Sequence, residues 1–282
     1  MIDLTIVIVN YNGADYIAGC IESINNSQDS LEKEIVIIDN KSQDSSLDVI
    51  KSLLRPNIRL ICNKENVGFS AANNQGIKIA NGKFVFLLNN DTILKSDCLQ
   101  ILKDYFETEE ELGGLAPQLL NEDETIQFYG SVLSHWRYRG KKPVSMSFLS
   151  GAAFFTTKSI LDKIGGLDEN FFFYNEDIDL CMQIKKLGLK LIYYPPAKLI
   201  HYGGKATATR KAASIIEGYR GGLYLVSKHY PKWVYQLYKR VLMLDVGPRL
   251  MVARLKKNEE YCHAYKSVIE IVREEKIIGR VI

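Results

Sequence analysis

The sequence has no paired cysteines and no long apolar run. Five cysteines are scattered along the chain without a C-x-x-C pair, a usage that indicates reduced, mostly buried thiols. No apolar stretch approaches the roughly 18 residues that a bilayer-spanning helix needs. The first residues enter a strand pattern directly, with neither a basic region nor a cleavage site, so we expect no signal peptide. Together these absences predict a cytoplasmic protein.

The sequence also lacks the two common glycine-rich phosphate loops. No G-x-G-x-x-G motif follows the first predicted strand, and no G-x-x-x-x-G-K-[ST] motif occurs anywhere. Dinucleotide-dependent dehydrogenases and P-loop NTPases lose support, because both classes hold phosphate in such a loop. A phosphate site in this chain has to be built in another way.

Charge is divided unevenly between two parts of the chain. The protein has 282 residues and a net charge of +3, and its 46% hydrophobic and 24% charged residues are ordinary for a globular protein. Residues 201–282 hold 16 Lys and Arg against 7 Asp and Glu, whereas residues 1–200 hold 20 against 26. A basic C-terminal part on a mildly acidic body indicates an anionic surface or partner. The length suits one large domain or a domain with an appendage.

The N-terminal part alternates between short apolar runs and helical patterns. Strands are predicted over residues 4–9, 34–38, 58–62 and 84–88, and helices over residues 15–25, 46–54 and 70–79. This alternation is typical of βαβ units in a parallel sheet, in which right-handed crossovers bring the strand ends to one edge. The polar residues expected to converge at that edge are Asn10, Asp39, Asn66 and Asp91.

The junction after the fourth strand is the centre of the predicted site, where Asn89, Asn90 and Asp91 follow five apolar residues. In an open α/β sheet, ligands bind beside the carboxyl ends of the strands. Asp91 is therefore predicted to be a metal ligand, with a divalent cation bridging its carboxylate and the oxygens of a nucleotide diphosphate. The alternative is a turn followed by a helix N-cap, which these residue types also favour.

The middle of the chain has a less regular pattern. The predictions are a helix over residues 99–106, a turn into a short strand over 113–117, and a mobile loop or irregular hairpin near the site over 121–147. Within that loop, Trp136 either stacks on a sugar ring or is half-buried packing. Residues 148–155 form a predicted strand in which Gly151 allows a close approach to the backbone.

Three acids stand within four positions after the aromatic run at residues 171–174. Glu176, Asp177 and Asp179 repel one another, and apolar surroundings penalise their charged forms, so their pKa values are expected to rise and separate. A carboxylate with a raised pKa suits a general base. The alternative is a solvated helix N-terminus, where the helix dipole favours acids.

The last strand predicted in this part covers residues 190–194 and is expected to end at Pro195 and Pro196. The apolar run that follows ends at His201. A lone histidine in that position is usually structural, and only the family resemblance described next favours a metal ligand.

Several segments stand in an order that matches a known family. They are VIVNYNG (7–13), IDNKSQD (38–44), NVGFSAAN (66–73), LNNDT (88–92), and GGLDE (165–169) continuing to EDIDLC (176–181). Together they resemble glycosyltransferase family 2, and most closely its bacterial rhamnosyltransferase-like branch, over residues 1 to about 205. The resemblance implies the GT-A fold, an α/β fold with a mostly parallel, Rossmann-like sheet flanked by helices.

The resemblance implies roles for individual residues. Asn89-Asn90-Asp91 stands where the family has its D-x-D motif, with Asn in place of the first acid, and Asp91 is expected to hold Mg²⁺ or Mn²⁺. Asp177 matches the catalytic base, and His201 matches a late histidine that can complete the metal site. The implied donor-binding residues are Val9, Asn10, Asn12, Asp39, Asn66, Gly68, Asn89, Asn90, Asp91 and Gly151. The implied acceptor-side residues are Trp136, Tyr174 and Glu176.

The resemblance also implies an inverting, metal-dependent sugar transfer. Asp177 is expected to deprotonate an acceptor hydroxyl, which attacks the anomeric carbon opposite the leaving nucleotide diphosphate. The expected donor is a nucleotide-diphosphate sugar, with dTDP-L-rhamnose as the first candidate and a UDP-linked galactose, glucose or GlcNAc as the alternative. The expected acceptor is a lipid-linked saccharide in the synthesis of a bacterial cell-surface polysaccharide such as O-antigen or capsule.

The expected domain organisation has two parts. Residues 1–204 form the GT-A catalytic domain, with a nucleotide-sugar part at about 1–115 and an acceptor part at about 116–204. Residues 205–282 form a basic, amphipathic helical extension in which aromatic residues alternate with Lys and Arg. This extension is expected either to bind the anionic inner face of the cytoplasmic membrane, or to be a helical cap or a homodimer contact.

Two other classes of function fit the sequence less well. A nucleotide-sugar-binding protein without catalysis would have no need of the Glu176–Asp177 pair. Nucleic-acid binding by the basic tail is disfavoured because no recognised module occurs, so no specific nucleic-acid partner is expected.

Overall fold

The computed structural model describes residues 2–130, 132–203 and 211–274, without the side chains of residues 132–134. Predictions for residues 204–210 and 275–282 therefore lie outside the described residues. The described residues form two compact units, one within residues 1–168 and 177–206 and the other within residues 169–176 and 207–282. The short segment 169–176 thus belongs to the same unit as the C-terminal helices.

The first unit is built on one sheet with helices around it. Its strands are β1 (Leu4–Asn10), β2 (Lys33–Asp39), β3 (Ile58–Cys62), β4 (Phe84–Asn89), β5 (Thr92–Leu94), β6 (Leu112–Leu120), β7 (Val144–Ser145), β8 (Ala153–Thr157) and β9 (Lys190–His201). Its helices are α1 (Ile17–Asn25), α2 (Ser46–Ser52), α3 (Phe69–Ile79), α4 (Cys98–Thr108), α5 (Lys158–Ile164) and, from its second residue, α6 (Glu176–Lys186). A 3₁₀ helix, Val132–Tyr138, precedes β7.

The strands pair in the order β3-β2-β1-β4-β8-β6-β9-β5, with β7 on β9. The βαβ units predicted from the sequence are present, since β3, β2, β1 and β4 are mutually parallel. Beyond β4 the sheet is mixed, because β8 runs antiparallel to both of its neighbours. In register, Asn10 lies opposite Asp39, and Val9 lies opposite Asn89. The carboxyl ends of the parallel strands therefore meet at one edge.

Burial on both faces of the sheet explains why these apolar runs form strands. Every residue of β1 is buried, as is nearly every residue of β2 and β4, because helices cover both faces of a parallel sheet. Their β-branched and aromatic side chains suit that environment. All five cysteines are free, and Cys20, Cys98 and Cys181 are buried, as their scattered positions predict.

The later strands differ from the sequence prediction in length and position. β6 is a nine-residue, fully buried strand and not a short one. The predicted end of a strand at Pro195 and Pro196 is wrong, because β9 continues through both prolines to His201. The pairing of β9 with β6 shifts register opposite these prolines, and such a bulge tolerates residues that have no N–H to donate. His201 is thereby brought opposite Thr92 of β5.

The predicted strand at residues 148–155 begins later, at Ala153. Residues before it form a turn in which the Ala153 N–H bonds to the Ser150 carbonyl oxygen at 3.5 Å. Gly151 therefore lies in a turn at the end of the sheet and not inside a strand.

The second unit consists of the segment 169–176 and three helices. These helices are α7 (Lys211–His229), α8 (Lys232–Leu255) and α9 (Glu259–Glu274). They bury a core of their own, which includes Leu223, Val246 and Val268. Within the ranges that the structure describes, no helix combines the length and apolarity required to cross a bilayer.

Candidate functional site

A network of buried polar side chains links the ends of β1, β2 and β4. The Asn10 amide donates to the Asp39 carboxylate at 3.0 Å and to the Ser42 hydroxyl at 3.1 Å. The Asn90 amide in turn donates to the Asn10 side-chain oxygen at 2.7 Å. Asn10, Asp39 and Asn90 are all buried, so these bonds hold the three strand ends at a fixed separation.

The loop after β1 has a backbone shape that few residues tolerate. Asn12 has a positive φ of 51°, which asparagine adopts more readily than most residues. Its side-chain oxygen accepts from the Gln43 N–H at 2.7 Å, and its own N–H donates to Ser42 at 3.0 Å. A Cβ at Gly13 would stand 2.0 Å from the Asn90 amide nitrogen, so a side chain there would displace Asn90. The predicted donor-binding residues Asn10, Asn12 and Asn90 thus form one connected edge.

A second polar cluster joins the end of β2 to the start of α3. The amide of Asn40 donates to the Asn66 side-chain oxygen at 2.9 Å and to the Gly68 carbonyl at 3.2 Å. Gly68 has a φ of 92° and precedes the first residue of α3, where its N–H donates to Asn66 at 3.0 Å. Asn66 and Gly68 therefore lie beside Asp39, as the convergence of strand ends predicts. Asn40, which the sequence prediction missed, connects them.

Asp91 lies in a buried position and faces His201. Its Oδ1 atom is buried and accepts no hydrogen bond within the described part of the chain, while the Nε2 atom of His201 stands 3.3 Å away. Asp91 is followed by β5 and not by a helix, so the N-cap alternative is wrong. The pairing of β5 with β9 creates this contact, because it sets Thr92 opposite His201.

Gln127 determines which nitrogen of His201 carries the proton. The Gln127 amide nitrogen donates to the Asn121 side-chain oxygen and to the His201 carbonyl oxygen, both at 3.1 Å. Its amide oxygen must therefore be the atom that stands 2.7 Å from His201 Nδ1. An oxygen acceptor there requires a proton on Nδ1, so in the neutral imidazole it is Nε2 that carries the lone pair, directed toward Asp91 and Asn89. No sequence pattern marks Gln127, which lies in the irregular region 121–147.

The Asp91–His201 pair fits a divalent cation. Neighbouring ligand atoms of an octahedral cation, each about 2.1 Å from the metal, stand about 3 Å apart, close to the 3.3 Å between Asp91 Oδ1 and His201 Nε2. A buried carboxylate oxygen without a hydrogen bond costs free energy unless a ligand occupies it. Among the described residues there is no group of three His, Cys, Asp or Glu side chains able to hold a metal. The remaining ligands would be water and phosphate oxygens, as is usual for Mg²⁺.

Asp177 is held at the start of α6 by two backbone amides. Its Oδ2 accepts from the Gly151 N–H at 3.1 Å, and its Oδ1 accepts from the Ile178 N–H at 2.8 Å. Burial raises the pKa of Asp177 above its ordinary value of 3.8, and these two hydrogen bonds only partly offset that effect. α6 begins at Glu176, so the three acids lie at a helix N-terminus as the alternative has it, but Glu176 and Asp179 are buried there and not solvated.

Gly151 connects Asp177 to the end of β4. The Asn89 N–H donates to the Ala152 carbonyl at 2.9 Å, and the adjacent residue Gly151 bonds to the Asp177 carboxylate. A Cβ at Gly151 would stand 3.1 Å from the Asp177 Cβ. The turn at residues 150–152 therefore carries the carboxylate of Asp177 to the same edge as Asn89 and Asp91.

The remaining predicted site residues lie in different surroundings. Val9 is buried in β1. Trp136 is 72% exposed, so the half-buried packing alternative does not hold. Glu176 is buried as the first residue of α6. Tyr174 has a φ of 71° and belongs to the second unit, where it lines a cavity of about 510 Å³ with residues of α7 and α8.

Comparison with known proteins identifies the family. The model of the family described as "Glycosyl transferase family 2" matches residues 5–165. The chain belongs to this family, as its motifs predict.

Two of the curated relatives that this chain resembles are named as rhamnosyltransferases. The chain is 26% identical over 223 residues to rhamnosyltransferase WbbL of Escherichia coli strain K12, a match that covers 70% of this chain and 82% of WbbL. It is 29% identical over 94 residues to the N-acetylglucosaminyl-diphospho-decaprenol L-rhamnosyltransferase of Mycobacterium tuberculosis, covering 33% of this chain and 30% of the relative. Several matches are similarly partial: the chain spans 42% of protein MT1568 of M. tuberculosis and 28% of ExoO of Rhizobium meliloti.

The fold has solved counterparts. A crystal structure of GalNAc-T7 with UDP, GalNAc and Mn²⁺ superimposes with a TM-score of 0.59 at 16% identity, covering 71% of this chain and 43% of GalNAc-T7. At that identity the likeness establishes the GT-A fold, which confirms the predicted fold class.

Proposed function

We propose that this protein is an inverting glycosyltransferase that moves a sugar from a nucleotide-diphosphate sugar to a saccharide acceptor. The observation that carries the proposal is the pairing of two features at one sheet edge: a buried Asp91–His201 pair that fits a cation, and a carboxylate, Asp177, whose pKa is raised. The retained carboxylate weighs against a nucleotide-sugar-binding protein without catalysis, because a binder needs no base.

In the proposed reaction Asp177 acts as the general base. An acceptor hydroxyl gives its proton to the Asp177 carboxylate, and its oxygen forms a bond to the anomeric carbon of the donor. The bond from that carbon to the diphosphate oxygen breaks, and the electron pair leaves with the nucleotide diphosphate. Attack from the opposite face inverts the anomeric configuration and requires no covalent intermediate. The amides of Gly151 and Ile178 orient both oxygens of the base throughout.

The donor is proposed to lie along the polar edge. Asn10, Asn12, Asp39, Asn66 and Gly68, with Val9 beside them, are proposed to contact the base and ribose. Asp91 and His201 would hold Mg²⁺ or Mn²⁺, and when bound the cation would neutralise the charge that develops on the leaving diphosphate. Asn89 and Asn90 shape the approach to Asp91. A Mn²⁺ ion in the crystal of GalNAc-T7, a protein of the same fold, is consistent with this assignment.

The proposed substrates follow the names of the relatives. WbbL is a rhamnosyltransferase, and the M. tuberculosis relative is named for L-rhamnose transfer to N-acetylglucosaminyl-diphospho-decaprenol. We therefore propose dTDP-L-rhamnose as the donor and a lipid-linked saccharide of bacterial cell-surface polysaccharide synthesis as the acceptor. The second candidate is a UDP-hexose donor, supported by relatives such as the poly(ribitol-phosphate) β-glucosyltransferase. Exposed Trp136, together with Tyr174 and Glu176, is proposed for the acceptor side.

A donor panel tests this proposal. The melting temperature is measured with Mn²⁺ and, in turn, dTDP-L-rhamnose, UDP-galactose, UDP-glucose and UDP-GlcNAc, with the same mixtures in EDTA as controls. A donor at a hundred times its Kd stabilises the fold by about 2.7 kcal/mol, which corresponds to a shift of a few degrees. We expect the largest shift with dTDP-L-rhamnose and its loss in EDTA. The absence of a shift with every nucleotide-sugar would contradict the proposal.

A second experiment tests whether Gln127 positions His201 for metal binding. Replacing Gln127 by Leu removes the acceptor of the Nδ1–H of His201, so the Nδ1-protonated form loses its advantage. We expect affinity for Mn²⁺, measured by calorimetry with bound nucleotide diphosphate, to fall by about 10–100-fold, as for other partners of metal-binding histidines. Nitrogen NMR of the imidazole of unliganded protein should show the proton on Nδ1 in the native chain and partly on Nε2 in the variant.

The matched variant is Gln127→Glu, which keeps an oxygen acceptor for Nδ1. We expect it to retain the native tautomer, although it loses the donations to Asn121 and to the His201 carbonyl. If Gln127→Leu leaves both the tautomer and the Mn²⁺ affinity unchanged, Gln127 does not position His201.

A further inference from the structure

The outer face of α8 carries a stripe of exposed apolar side chains, which Gly247 and Pro248 separate into two parts. At 3.6 residues per turn these positions fall within about 100° of arc along the helix. The members, here called the apolar stripe, are Trp233, Leu237, Val241, Leu244, Met251, Val252 and Leu255. Each is at least 48% exposed, and Leu244 is 76% exposed.

The apolar stripe is not needed to build the second unit. The opposite face of α8 already supplies the core of that unit, with Tyr235, Leu242 and Val246 buried against the other helices. An amphipathic surface helix usually places polar residues on its outer face. Single exposed apolar residues are ordinary, but a contiguous exposed patch marks an interaction surface.

The charges around the apolar stripe are mostly positive. Described residues 211–274 carry twelve Lys and Arg against six Asp and Glu. Five exposed basic residues flank the stripe or lie at its ends: Lys232, Arg240, Arg254, Lys256 and Lys257. Asp245 is the only acid within α8, and it already pairs with Arg249 at 2.8 Å. The surface is therefore complementary to a negatively charged partner.

The length of the apolar stripe fits a flat surface, such as the interface of a membrane, better than a narrow groove in a protein. From Trp233 to Leu255 the stripe extends about 33 Å at 1.5 Å per residue. α8 also carries five Lys and Arg, so it is too charged to enter a bilayer core lengthwise. A helix with an apolar face and a basic border instead lies in the plane of the membrane interface, where tryptophan is also favoured.

We propose that the apolar stripe of α8 binds an anionic phospholipid surface, with the helix lying parallel to it. The seven apolar side chains enter the headgroup boundary, and the flanking Arg and Lys contact lipid phosphates. A second copy of the chain is a poorer partner, because a two-fold pairing along the stripe brings the same basic residues of both copies together. The proposal goes beyond sugar transfer and does not depend on it.

Vesicle flotation tests the proposal without donor or acceptor. The full chain is mixed with vesicles of phosphatidylcholine alone, or of an equal mixture with phosphatidylglycerol, at low and high salt. We expect it to float with the anionic vesicles and to be released from them by salt. The variant Leu237→Glu/Leu244→Glu/Leu255→Glu should bind them roughly a hundredfold more weakly, because three apolar side chains no longer enter the boundary. Arg240→Gln/Arg254→Gln should weaken binding by tenfold or more, because about 1 kcal/mol is lost per basic residue.

Matched controls separate the stripe from general effects of the substitution. Leu54→Glu and Leu187→Glu change exposed leucines of the first unit, at 45% and 43% exposure, and should float like the native chain. The chain has two tryptophans, so in a Trp136→Phe background the emission of Trp233 reports on the stripe alone. We expect that emission to shift to shorter wavelength on anionic vesicles.

Three outcomes would overturn the proposal. The native chain could fail to float with anionic vesicles at low salt, or the triple variant could float equally well. Light scattering could instead show a dimer that the triple variant abolishes, together with no flotation of the native chain, which would assign the stripe to self-association. Because no nucleotide-sugar is present, none of these outcomes bears on the catalytic proposal.

Discussion

Replacing Asp177 by Asn is expected to lower kcat by about 10²–10⁴-fold, the usual contribution of a general base. The amide cannot accept the proton of the acceptor hydroxyl, although its shape is nearly that of the carboxylate. The measurement is turnover with saturating donor and acceptor, alongside the melting-temperature shift produced by the donor. The shift should be close to that of the native chain, because the donor is proposed to bind at the other strand ends.

The pH dependence of turnover gives a second readout for Asp177. The base acts only when it is deprotonated, so kcat/KM of the native enzyme should rise with pH through the pKa of this carboxyl. Burial raises that pKa above 3.8, so the rise should lie above the ordinary range of an aspartate. The residual activity of Asp177→Asn should lack this rise. Near-native kcat in the variant would remove Asp177 from the role of base.

Replacing Asp91 by Ala is expected to abolish the effect of Mn²⁺ on donor binding. Replacing a residue that only supports a metal ligand typically lowers metal affinity by about 10–100-fold. Asp91 is proposed to bind the cation directly, so its loss should lower that affinity by at least the same factor. Calorimetry with and without Mn²⁺ should then give the same donor Kd for the variant, and different values for the native chain.

The stability of the Asp91 variant distinguishes a ligand from a structural residue. Because Asp91 Oδ1 is buried and accepts no hydrogen bond within the described residues, its removal breaks none at that atom. We expect the melting temperature of the unliganded variant to equal or exceed that of the native chain. A clear fall in that temperature, with Mn²⁺-dependent donor binding intact, would show that Asp91 supports the fold and does not hold a cation.

The strand ends were predictable because each depends on a local pattern. Apolar runs followed by Asn10, Asp39 and Asp91 predict buried parallel strands, and the chirality of βαβ crossovers then requires their ends to meet at one edge. The structure confirms that meeting through the Asn10–Asp39 and Asn90–Asn10 hydrogen bonds. The assignment of Asp177 as the base came in a different way, from the order of the family's motifs, and stays a prediction.

The path of β9 was not predictable from local pattern. Two prolines normally end a strand, and here the strand continues because β9 itself bulges at the prolines, between the pairs Pro117–Tyr194 and Gln118–Lys198 that it forms with β6. That exception brings His201 to Asp91, and the two residues are 110 positions apart. A short segment of sequence contains no information about which distant strand will pair with β9 on both sides of its bulge.

The sequence by itself determined the alternation of strands and helices, the polar strand ends and the family, because all three depend on patterns within short segments of the chain. Only the tertiary structure decided the proton position on His201, the burial that raises the pKa of Asp177 and the exposure of the apolar stripe on α8. Each of these depends on which distant groups surround a side chain: Gln127 lies 74 positions from His201, and Gly151 lies 26 positions from Asp177. Burial and hydrogen bonding are properties of the folded neighbourhood, and periodicity alone does not distinguish the inner apolar face of α8 from the outer one.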